Sequence, residues 1–235
     1  MTAYVRPPVP RQVFHDADGA PFEYGGRWDD LDGPPEDTYS VDSHPERFAP
    51  VVDVADALVR HLAATYVVTV EDVDLRDVDL ASHTTDAPAH PVLAGVRDVG
   101  PDAVRAVRLT PVSDDAAPLT LVVTGYPSVV VRAGVLHEDR FPSCGCDACD
   151  EAAEGAATGL EDLVLGVAGG LFSEGVSGPR YLLGESWVRY ALEGPDGRWE
   201  SGEGQRRLAR AVAAAAHRRL ASLPGGRWQP WPVAD

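Results

Sequence analysis

A chain of 235 residues, 44% of them hydrophobic, can pack a full core without disulfide staples, which sets it apart from small secreted scaffolds. Its 37 acidic against 20 basic residues give a formal charge of -17, a surface that repels phosphate backbones, argues against nucleic acid and suits a protein partner with a basic surface. Every basic residue other than histidine is arginine, and a chain without lysine has no Schiff-base nucleophile and no phosphate-loop lysine.

The segment 1–42 is rich in Pro and Gly and reads as an irregular arm. It carries a small hairpin that turns at Asp18-Gly19, between Val13-Phe14-His15 and Phe22-Glu23-Tyr24. Ser43-His-Pro45-Glu46 combines an N-cap serine, a first-turn proline and a glutamate three residues after the serine, the pattern of a helix start. Phe48, Val51, Val52, Ala55, Leu58, Val59 and Leu62 follow at helical spacing, and this helix should end near Tyr66. A strand is expected over 67–71, then a long acidic surface connection over 72–102 with one short element. Within it, Asp72, Asp74, Asp77 and Asp79 lack the glycine and terminal glutamate of a calcium loop and read as solvated.

Strand-like runs at 104–112, 119–124 and 128–135 predict an antiparallel meander, with His137 at its end. Leu160, Leu163, Val164, Val167 and Leu171 mark a second helix, with Asp150 and Glu151 in its first turn and Gly169-Gly170 as its terminator. A hairpin over 181–192 turning at Pro195-Asp196-Gly197 and an alanine-rich third helix over 206–223 follow. Trp228-Gln-Pro-Trp231-Pro, within a tail of about 224–235, reads as an extended segment docked on its own domain. The expected fold class is α+β: an antiparallel sheet built from hairpins with about three helices against it, as a single domain over 1–235. No apolar run reaches membrane length, and the three cysteines make no disulfide framework, so a cytoplasmic setting without a membrane is expected.

The most specific chemistry is Phe141-Pro-Ser-Cys144-Gly-Cys146-Asp-Ala-Cys149-Asp150, which gathers all three cysteines into six positions. Three thiolates with His137 as a fourth ligand would make a zinc site, although paired Cys-x-x-Cys knuckles are missing. Cys146-Asp-Ala-Cys149 is also formally a redox motif, whose thiols a helix start would acidify, and the same thiols could simply pack at a loop-to-helix junction. Ser186 lacks the closing glycine of a nucleophile elbow and reads as a surface serine. His15, His44, His61, His83, His90 and His217 are scattered and read as surface or capping residues.

Several strings belong together: Val13-Phe14, Asp16-Ala-Asp-Gly19, Tyr24-Gly25-Gly-Arg27-Trp28, Pro35-Glu-Asp-Thr-Tyr-Ser40, His44 to Pro50, and Phe141 to Glu151. Together they resemble an actinobacterial family catalogued as a domain of unknown function, number 6226, over most of the chain up to about Glu174. The resemblance implies one whole-length domain in an intracellular bacterial setting and transfers no activity, cofactor or catalytic residue. The residues themselves point to a non-enzymatic protein-binding module whose cysteine cluster is structural or zinc-binding. The competing expectation is an enzyme centred on the same cysteines, a zinc-dependent hydrolase or a thiol oxidoreductase.

Overall fold

A computed structural model describes residues 3–75, 102–177, 185–193 and 199–234. Most of the predicted connection over 72–102 and the Pro195-Asp196-Gly197 turn lie outside the described residues, as do His83 and His90.

The arm contains the expected hairpin, β1 (Phe14–His15) against β2 (Pro21–Phe22), with Phe14 paired to Phe22. Asp16 builds its turn by accepting the amides of Asp18 and Ala20 on Oδ1. A 3-10 turn over Pro45–Phe48 leads into α1 (Ala49–Thr65), which buries Val51, Val54, Ala55, Leu58 and Leu62 as one stripe. Each fully buried Leu or Val of that stripe contributes about 1.5–3 kcal/mol. The predicted N-cap serine is used elsewhere: Ser43 donates its hydroxyl to Asp147 at 2.7 Å, and the 3-10 turn starts at His44 without a side-chain cap.

The main sheet is a five-stranded antiparallel meander, hydrogen-bonded in chain order: β3 (Val68–Val73), β4 (Ala103–Pro111), β5 (Leu119–Thr124), β6 (Val129–Ala133) and β7 (His137–Phe141). Strand β7 does not show in the sequence, because Glu138, Asp139 and Arg140 hide any apolar alternation between the buried His137 and Phe141. Val107, Leu109, Leu121, Val131 and Ala133 join the main core, and the alternate residues Arg108, Thr120 and Arg132 take the opposite face.

A second antiparallel sheet has the order β10 (Trp199–Arg207), β9 (Glu185–Glu193), β8 (Phe172–Val176). Between β7 and β8 runs α2 (Ala153–Ala168), which touches α1 and both sheets. Its glycines allow this: a Cβ on Gly159 would come within 2.9 Å of Phe141, and one on Gly166 within 2.6 Å of Leu192. Asp150 and Glu151 precede α2 instead of forming its first turn, and Asp150 adopts the left-handed conformation (φ 50°, ψ 28°). Arg206 and Arg207, expected in the third helix, belong to β10, and α3 spans Arg210–Ala221. Ser186, expected at the surface, is 2% exposed within β9.

One apolar cluster runs from Phe48 through α1, α2 and both sheets to Trp228 and Trp231 of the tail. Trp231 docks by donating Nε1 to the Ala117 carbonyl and its amide to Ala168, each at 2.9 Å. Glu174 of β8 is buried and accepts the amides of Val135, Leu136 and His137 together with Trp228 Nε1, tying the second sheet to the β6–β7 turn and to the tail. Among the described residues, no helix is long and apolar enough to cross a membrane.

Candidate metal centre

The cysteine loop starts where β7 ends and closes in a 3-10 turn over Asp147–Cys149, so the Cys-x-x-Cys pair lies ahead of α2 and not on its first turn. Gly145 is required between the first two cysteines, because the Tyr126 phenol stands where any Cβ would be. The three cysteines are free, and their sulfurs all lie within 4.8 Å of one another, with Cys144 and Cys146 3.3 Å apart. Tetrahedral zinc with bonds of about 2.3 Å places thiolate sulfurs about 3.8 Å apart, a spacing the cluster brackets. Cys144 and Cys146 are half-buried and Cys149 is exposed, which leaves one side open to a ligand from solvent.

Protons are unevenly shared. Burial would raise the Cys146 thiol, but hydrogen bonds from the Cys144 thiol, the Cys149 amide and thiol, and the Ser40 amide outweigh it and hold it below its ordinary value. Burial, and donation to the other two sulfurs, push Cys149 up to about 12. Burial likewise raises Cys144. Cys146 is therefore the most acidic thiol of the set. The cause is the local hydrogen-bond network, not the helix dipole that the sequence suggested.

Around the thiols, the acidic residues of the motif are committed to holding the arm. Asp150 Oδ2 accepts three successive amides, those of Gly25, Gly26 and Arg27, at 2.6–3.0 Å. Asp147 accepts the Tyr24 hydroxyl and the Ser43 hydroxyl, and its carbonyl accepts Trp28 Nε1. Glu151 accepts Ser143 and the Cys144 amide, which folds the loop back on itself. Arg47 is 2% exposed and bonds the carbonyls of His44, Gly145 and Glu151. Its guanidinium lies 3.8 Å from the Tyr24 ring centroid and makes no salt bridge among the described residues. A buried cation without a salt bridge is costly unless hydrogen bonds or a nearby negative charge offset it, and here the three carbonyls accept from it.

His137 is not brought to this cluster. The described residues that can share an ion here are Cys144, Cys146 and Cys149 alone. The His137 ring packs instead between Phe172 (5.3 Å) and Tyr190 (4.3 Å), on the side of the sheet that faces the second sheet. Seven residues of separation looked short in sequence, but an extended strand carries His137 roughly 13 Å along β7 before the loop begins. Nothing in the sequence marks Tyr126 as belonging to the site, and the legible clue for Arg47 and Ser40 is their place in the His44-to-Pro50 and Pro35-to-Ser40 strings.

No match was found among curated proteins or among solved structures. The match to a family model extends past Glu174 to the end of the chain and takes in the arm from residue 10, the cysteine loop and the tail. That model, of the family of unknown function DUF6226, matches residues 10–235, and the chain belongs to that family.

Proposed function

We propose that this protein is a non-enzymatic binding module that holds one zinc ion through Cys144, Cys146 and Cys149 as thiolates, with the ion locking the N-terminal arm to the body. The convergence of three free sulfurs within 4.8 Å carries the reading. It is supported by the acidified Cys146 and by the buried Arg47, which makes no salt bridge among the described residues and would balance the net negative charge of a zinc tri-thiolate. The fourth position would go to water or to a ligand from outside, because the carboxylates of the loop are already engaged. The partner would be a basic protein surface, drawn to a chain of net charge -17.

Thiol exchange is the second reading, favoured by one observation: an acidified Cys146 with a neighbouring sulfur at 3.3 Å. Elemental analysis of protein purified under reducing conditions, combined with thiol counting, separates the two. About one zinc per chain, a fall in melting temperature with chelator and loss of the metal in Cys146→Ser establish the site. A metal-free protein that turns over a disulfide substrate, with turnover lost in Cys146→Ser, establishes exchange chemistry instead.

A further inference from the structure

On the face of the main sheet away from the helices, a cleft of about 350 Å³ lies between strands β4 to β6, the β6–β7 turn and Arg206 of β10. The strand register sets its floor: Arg108 pairs with Thr120, Thr120 with Arg132, and Arg132 with Glu138, in one row across four strands. Residues two strands apart in such a row are about 10 Å apart at the backbone, so Arg108 and Arg132 flank Thr120 like two posts. Three arginines against one glutamate leave the described lining at a net charge of +2, in a protein whose total is -17.

These cations are unequally engaged. Arg132 is bound to Glu138 at 2.7 Å. Arg108 makes no ion pair among the described residues, and the one hydrogen bond of Arg206 there goes to the Leu136 carbonyl at 3.2 Å. Each guanidinium has five donors in a planar fork suited to carboxylate or phosphate oxygens. Thr110 and the nine-tenths buried Thr120 add hydroxyls to the same wall. A cleft of this size takes a small metabolite.

We propose that this cleft binds a small molecule carrying two or more carboxylate or phosphate groups, with Arg108 and Arg206 as its principal anchors and Thr120 between the posts. The site is separate from the cysteine loop and does not depend on a metal there. Calorimetric titration at neutral pH and about 0.1 M NaCl, with glutarate as the dicarboxylate probe and pyrophosphate as the phosphate probe, tests it. Saturable one-to-one binding of either probe is expected, and the probe that binds identifies the anionic group. Arg108→Gln and Arg206→Gln should each weaken it about tenfold or more, the scale of one lost charge-assisted pair. Arg11→Gln, at a residue whose side chain is 90% exposed in the arm, should leave binding unchanged. Absence of saturable binding by both probes overturns the proposal, and so does binding that survives Arg108→Gln in a variant that melts like the parent.

Discussion

Burial acts on His137 and Glu174 in opposite directions. The His137 ring is 6% exposed and its Nε2 has no hydrogen-bond partner among the described residues. Burial, helped by the charge of Arg206, lowers its pKa to about 4. The unfolded chain takes up this proton from about pH 6.5 downward while the folded chain stays neutral, so stability falls with pH across that window, by up to roughly 3 kcal/mol. Burial raises Glu174 and Asp139, so their folded forms bind protons at higher pH than the unfolded chain and offset part of the loss as pH falls. His137→Phe keeps the ring against Phe172 and Tyr190 and removes the histidine contribution. Denaturant unfolding at pH 6.5 and pH 4 should therefore show a smaller loss for the variant than for the parent, and equal losses would show that the imidazole is not held neutral. Cys144, Cys146 and Cys149 are legible from sequence because rare thiols at short spacing carry their own chemistry. The settings of His137 and Arg47 are not, since neither residue type announces that distant segments will bury it.

At the level of elements, the arm and the cysteine loop lock together. The Tyr24-Gly25-Gly26-Arg27-Trp28 string supplies donors and an aromatic cluster, and Asp147 and Asp150 supply the acceptors. The Arg27 guanidinium stacks over Phe22, Tyr24 and Trp28, and the Arg47 guanidinium over Tyr24 and Phe48. Nearer the terminus, Tyr4 and Arg6 both bind Glu161 of α2. Asp150→Ala removes one acceptor from three amides and puts alanine in a left-handed conformation, and should cost about 2–4 kcal/mol. Limited proteolysis should then cut near Gly25–Arg27 well before the body. Asp150→Asn, which tolerates that conformation and keeps an acceptor, should show a smaller effect, and an unchanged digestion pattern in Asp150→Ala would show that the arm is held by other contacts. The pairing was hidden in sequence because its halves lie more than a hundred residues apart. In the same way Ser43 looked like a helix cap, and Asp150 and Glu151 looked like first-turn residues, because local pattern cannot reveal a competing partner from elsewhere in the chain.

For the whole molecule, a net charge of -17 means mutual repulsion that compaction must overcome. Raising NaCl from about 10 mM to about 150 mM shortens the screening length from about 30 Å to about 8 Å. The melting temperature should rise by about 3 °C, equivalent to about 1 kcal/mol. Scanning calorimetry checks this, and a fall would mean that ion pairs such as Arg6–Glu161 and Arg132–Glu138 outweigh the repulsion. The α+β class, α1, the first four strands of the meander, the docked tail and the cysteine cluster are written in the sequence by itself. They rest on local periodicity, turn chemistry and residue type, which need no knowledge of partners. Tertiary structure alone decided that β7 completes the sheet, that His137 faces the second sheet and not the thiols, and that hydrogen bonds acidify Cys146. It alone brought the arginines of β4, β6 and β10 around one cleft. Those outcomes depend on which distant segments share a surface, and burial, register and proton sharing are properties of that shared surface and of no single stretch of chain.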